Sequence, residues 1–131
     1  MPAKPNQPPR PTESELAILR VLWKREHATV REVLDELNAG HDDPYAYTSV
    51  LSFLQIMMNK GLVTREGDGR GHRYRASVPP ERTKRQLVRD FMDRVFNGSA
   101  SELVAQALGA RKVSAEELSE IQKLLSDLRK P

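Results

Sequence analysis

Three hydroxyl-bearing side chains, Thr48, Ser49 and Ser52, stand at i, i+1 and i+4 within the stretch YAYTSVLSFLQIMMNKG. At that spacing they share one side of a helix and can bond base edges or phosphate oxygens. A few residues on, TREGDGRGHRYR crowds three glycines, four arginines and a histidine together. From Lys60 to Arg75, the basic side chains Lys60, Arg65, Arg70, Arg73 and Arg75 face only Glu66 and Asp68. The local excess of three positive charges therefore equals the formal net +3 of the whole chain. Arg70, between Gly69 and Gly71, sits where a turn would present it to a phosphate or a narrow minor groove. The glycines make no phosphate-cradling loop. GDGRG lacks the closing Gly-Lys-Ser/Thr and does not lead from a strand into a helix.

Catalysis and metal chemistry find little support. The chain has no cysteine, which excludes disulfides, thiolate zinc sites and thiolate nucleophiles. His27, His41 and His72 lie far apart in sequence, and adjacent loop residues such as His41, Asp42 and Asp43 rarely converge on one ion. No nucleophile elbow or helical zinc motif occurs. The expectation is a binding protein with no catalytic residue, no metal and no cofactor. No apolar run approaches the length of a membrane span, so no membrane insertion is expected and the protein is placed in the cytoplasm.

The elements that must position these groups are signalled by capping boxes and apolar periods. Residues 1–11, MPAKPNQPPRP, carry five prolines and no apolar signal core, which predicts a disordered, extended tail. Thr12 with Glu15 opens a helix over 13–25, carrying Leu16, Leu19, Leu22 and Trp23. Thr29 with Glu32 opens a second over 30–39, which Gly40 ends. Val50, Leu54, Met57 and Met58 define a third helix, closed by Gly61, with Tyr45 and Tyr47 preceding it. Residues 62–66 and 72–76 read as strands around the glycine-rich turn. After the break at Val78, Pro79 and Pro80, a fourth helix carries Leu87, Val88, Phe91, Met92, Val95 and Phe96. Two more follow, opened by boxes at Ser99/Glu102 and Ser114/Glu117, the first of them stopping at Gly109.

The predicted fold is mainly α with a small β-hairpin: a winged helix-turn-helix over 12–78 and a C-terminal helical dimerisation domain over 79–131. The last three helices have more apolar stripe than they can bury on themselves. Leu87, Phe91, Met92, Val95, Phe96, Leu103, Val104, Leu108, Leu118, Ile121, Leu125 and Leu128 are the expected dimer contacts. A two-fold dimer would set two third helices about one DNA turn, ~34 Å, or a multiple apart, over an inverted repeat. Two other readings stay open. One is a winged-helix module docking an acidic protein. The other is a small-molecule-sensing regulator with a pocket lined by the fourth helix's aromatics.

Three stretches, YAYTSVLSFLQIMMNKGLV, GRGHRYRASV and FMDRVFNGSASELVAQAL, resemble the penicillinase-repressor family, the BlaI/MecI type with the copper-responsive CopY branch as a relative. The resemblance runs from about Thr12 to Leu128. It implies a repressor that occupies a dyad operator of double-stranded DNA as a homodimer. The third-helix positions it implies for DNA contact fall on Thr48, Ser49, Leu51, Ser52 and Ile56. Leu51 and Ile56 stand where the staphylococcal members have polar or basic residues. With Thr29, Tyr45, Tyr47, Gln55, Lys60, Arg70, His72 and Arg73, these make up the expected DNA-binding set. The resemblance also implies a membrane sensor protease system as partner. The cleavage position maps to Gln106 and Ala107, where the Asn–Phe pair of those members is missing. The copper branch's C-terminal cysteines are missing too.

Overall fold

Thr12 and Glu15 bond reciprocally at the start of the first helix. Thr12 Oγ1 accepts from the Glu15 amide at 3.2 Å, and the Thr12 amide donates to Glu15 Oε1 at 2.9 Å. Two orphan donors are thereby satisfied, and α1 runs Glu13–Arg25 as its apolar period predicts. The computed structural model describes residues 10–40, 42–67 and 71–131, so most of the proline-rich tail lies outside the described residues. A second reciprocal box, Thr29 with Glu32, opens α2, Val30–Asn38. The Thr29 amide is the main reason the Glu32 carboxyl sits below its ordinary pKa.

Between α1 and α2 the chain turns through Glu26, whose φ of 67° and ψ of −51° place it at the centre of a γ-turn closed by the His27 amide donating to the Arg25 carbonyl. Positive φ in a residue with a Cβ is a strained arrangement. Glu26→Gly should therefore stabilise the fold by about 1 kcal/mol, the strain relieved less glycine's larger entropy loss. A shift of the denaturant midpoint to lower concentration would contradict this.

α3 spans Tyr47–Lys60 and ends at Gly61, φ 79°. The Leu62 amide reaches back to the Met57 carbonyl and the Gly61 amide to that of Met58, the pair of bonds that satisfies a helix C-terminus through a left-handed residue. Tyr47 is thus the first residue of the helix rather than part of the approach to it, with Ala46 as the cap. Strands β1, Val63–Glu66, and β2, Arg73–Ala76, pair antiparallel with Arg65 opposite Tyr74. Gly67 takes φ 120° beside the turn, and a Cβ there would stand 2.4 Å from the Gly71 carbonyl oxygen, so glycine is required. A third strand-like partner joins: Ala28 and Tyr74 exchange both backbone hydrogen bonds, at 3.0 and 2.8 Å.

The core of this part draws Ile18, Leu19 and Leu22 from α1, Val33 and Leu37 from α2, and Val50, Leu54 and Met57 from α3. Leu62, Val63 and Tyr74 of the hairpin complete it. The indole Nε1 of Trp23 donates to the Val78 carbonyl at 3.0 Å.

α4 runs Pro80–Phe96, α5 Ala100–Ala110 and α6 Ala115–Arg129. The chain forms two compact units, the first ending at Leu87 and the second beginning at Val88, so the division falls inside α4. The boxes expected at α5 and α6 are one-sided. Ser99 and Ser114 accept from the amides of Glu102 and Glu117, both at 3.1 Å, with no returning carboxylate bond. Gly109 does not stop α5 but lies inside it, and Arg111 is the cap. No residue from Val88 onward is buried. Phe91 and Phe96 meet edge to face, ring centroids 5.6 Å apart, while Phe91, Val95, Val104, Leu108, Leu118, Leu124, Leu125 and Leu128 stand in solvent.

Candidate nucleic-acid interface

Three residues of α3, Val50, Leu54 and Met57, are fully buried, so the opposite side of the helix is fixed outward. Thr48, Ser52, Gln55 and Asn59 are all exposed there. They recur at i, i+4, i+7 and i+11, one line along the helix. Asn59 was not among the expected contacts. It lies beyond the hydroxyl cluster, and only the helical register brings it into line. Its amide carries the donor and acceptor that match an adenine edge. Ser49 is half-buried at the border of this surface, and Leu51 packs against the core. Ile56 is exposed beside the polar line.

The front of α3 is built by its neighbours. Asn38, the last residue of α2, clamps the backbone of Tyr45: Nδ2 donates to the Tyr45 carbonyl at 3.0 Å and Oδ1 accepts from the Tyr45 amide at 2.7 Å. The Tyr45 ring meets Phe53 edge to face at 6.2 Å, and its hydroxyl is 3.5 Å from Ser14 Oγ. Tyr45 is thus partly committed to packing. α1, α2, α5 and α6 each have a Thr or Ser side chain capping them, whereas the cap position of α3 is Ala46, which offers no side-chain bond, and its first turn holds no acid. The Ser49 amide already donates to the Ala46 carbonyl, which leaves the amides of Tyr47 and Thr48 and the positive end of the dipole for an anion.

Arg31, on α2, is a second residue of this surface outside the expected set. Its guanidinium carbon lies 5.3 Å from the centroid of the Tyr47 ring, within range of a cation–π contact. The contact joins the starts of α2 and α3, and a single arginine in a short helix carries no signal of it in sequence. Thr29 is engaged as the cap of α2, its Oγ1 accepting from Glu32.

Charge pairing divides the basic residues into two sets. Lys24 and Arg25 bind Glu36 and Glu32 across α1 and α2, Arg75 reaches Glu66 at 3.4 Å, and Lys60 reaches Glu15 at 2.8 Å. Lys60 is accordingly the counter-charge of a buried carboxylate rather than a free cation. Burial raises the Glu15 pKa, but the Lys60 hydrogen bond, the Thr12 bonds and the Lys60 charge outweigh it and hold the carboxyl below its ordinary value. Arg65 and Arg73 of the hairpin are exposed and have no carboxylate partner among the described residues. His72 is exposed beside Arg73. Arg70 lies outside the described residues.

Among the expected dimer contacts, Leu87 is half-buried in the first unit. Met92, Phe96, Leu103 and Ile121 are half-buried in the second, and the rest are exposed. Gln106 and Ala107 are exposed within the regular helix α5. Among the described residues no group of acids and histidines is disposed to hold a metal ion, and no helix is long and apolar enough to cross a membrane.

The sequence model of a family described as penicillinase repressor matches residues 11–127. The transcriptional regulator BlaI of Mycobacterium tuberculosis is 33% identical over 118 residues, which cover 87% of this chain and 81% of that protein. The penicillinase repressor of Bacillus licheniformis is 23% identical over 119 residues, 91% of each chain. Among solved structures, the complex of hsRosR-S4 aligns with a TM-score of 0.53 at 18% identity, over 88% of this chain and 87% of that one. A MarR mutant of E. coli complexed with operator DNA aligns with a TM-score of 0.51 at 16% identity, over 91% and 76%. These two likenesses speak to the fold.

Proposed function

The chain belongs to the penicillinase repressor family, and from that premise we propose that it is a dimeric repressor that binds an inverted-repeat operator in double-stranded DNA. The observation that carries the reading is α3: one face sealed in the core, the other a line of small polar side chains free in solvent. A helix of that kind fits a major groove ~12 Å wide, and its uncapped front suits a backbone phosphate. The hairpin adds sequence-independent attraction through Arg73, with Arg31 doing the same from α2. The apolar surface of the second unit supports pairing with a second copy, which would double the contact along a two-fold axis. It is not an enzyme: its work is occupancy of a promoter.

The test is a footprint of the full-length protein on the DNA upstream of its own gene. Two protected half-sites related by a dyad are expected. Absence of retardation of any genomic fragment at low salt would remove the proposal. Two substitutions separate positioning from reading. Arg73→Ala should weaken binding to every sequence and lower the slope of log K against log salt by about one. Ser52→Ala should leave that slope unchanged and alter which bases are preferred at one position of each half-site. The opposite assignment of effects would show that the hairpin reads bases and α3 merely positions.

A further inference from the structure

Beyond Tyr47 at its first position, the outward surface of α3 is polar with one interruption. Ile56 is 47% exposed, and among the described residues of the first unit it and Tyr47 are the only large apolar side chains left in solvent. Tyr47 carries the Arg31 guanidinium over its ring. Ile56 has no such cover and takes no part in the core. A lone exposed isoleucine is ordinary on a protein surface, so its position carries the argument. It lies one turn beyond Ser52 and next to Gln55, in the surface that enters the groove if the proposed function holds. The major-groove edges of the four bases present hydrogen-bonding groups and a single apolar one, the C5-methyl of thymine. A β-branched side chain in a helix holds one dominant χ1 rotamer, so its methyls are already ordered before binding.

We propose that Ile56 is a specificity-determining residue that packs against the C5-methyl group of a thymine in each operator half-site. The inference rests on the DNA-binding reading and adds to it a base and the chemical group that is read. Ile56 makes no hydrogen bond there. Its contribution is removal of two apolar groups from water, which is insensitive to salt.

Deoxyuridine differs from thymidine by that methyl alone and keeps every hydrogen-bonding group. The experiment starts from a duplex that the full-length protein selects out of random sequence, and replaces its thymines by deoxyuridine one position at a time. One position per half-site is expected to lose roughly fourfold in affinity, the worth of one buried methyl. Ile56→Ala is expected to bind the thymine and uracil duplexes equally and to keep the wild-type salt slope. Ile56 lies outside the core, so the variant retains the fold. Tight binding with no loss at any thymine would overturn the assignment while leaving the repressor reading intact. So would an Ile56→Ala variant that still discriminates thymine from uracil. Enrichment of no duplex at all would remove both.

Discussion

Replacing Leu125 and Leu128 together by glutamate is expected to leave a folded first unit that sediments as a monomer and binds the full operator roughly 100-fold more weakly, with affinity for an isolated half-site unchanged. The two leucines are 56% and 83% exposed in the lone chain. They continue the α6 stripe of Leu118 and Ile121 at intervals of three and four. Monomeric proteins seldom leave such a continuous apolar surface in water. Burying two carboxylates in an apolar contact costs far more than the contact returns. Loss of the second copy then converts one bivalent event into two independent ones, which is where the hundredfold arises. A dimer that survives the double substitution would place the contact elsewhere in the second unit, at Phe91, Val95 or Val104.

Lys60→Met is the second large effect, and it acts on stability. Glu15 is 3% exposed at its side chain and Lys60 28%, with 2.8 Å between Nζ and Oε1. Methionine keeps the stem and the helix propensity but removes the counter-charge, leaving a carboxylate buried with the Thr12 bonds alone. The expected cost at neutral pH is about 2–3 kcal/mol, below the full figure for a buried pair because Lys60 is partly solvated. The pH dependence has a definite sign. Glu15 titrates below its ordinary value in the wild type, so its contribution is present above that value and is lost as pH falls through the lowered one. In the variant the two Lys60 contributions to that lowering are gone while burial remains, so the carboxyl titrates higher than in the wild type. The gap between the two proteins therefore narrows as pH drops below the ordinary glutamate range. Adding Glu15→Gln to Lys60→Met should recover part of the loss. A cost under about 0.5 kcal/mol, flat with pH, would class the pair with surface ion pairs.

Local signals made much of the first unit legible in sequence. α1 begins at Glu13 as expected because its capping box is a contiguous four-residue pattern with both bonds made. Gly61 ends α3 because the left-handed residue it supplies is costly for any residue with a Cβ. Features that join distant residues were not legible. The Ala28–Tyr74 bridge is a single residue pair with no period to betray it. Lys60 looked like part of a basic stretch because its carboxylate partner, Glu15, is 45 residues away. Arg31 and Asn59 join the proposed interface only because the folded chain places them beside Tyr47 and behind Gln55. At Gly109 the sequence misled: a glycine inside a helix costs about 1 kcal/mol and does not oblige it to end.

The chain has one tryptophan, and that indole donates its proton to the carbonyl of Val78, two residues before α4 begins. Its intrinsic emission is consequently a built-in optical gauge of that junction, with no label needed. A red-shifted, brighter or quenched signal on adding operator would mean that the strap ahead of α4 undocks from α1 as DNA is engaged, and a constant spectrum would mean that it stays seated.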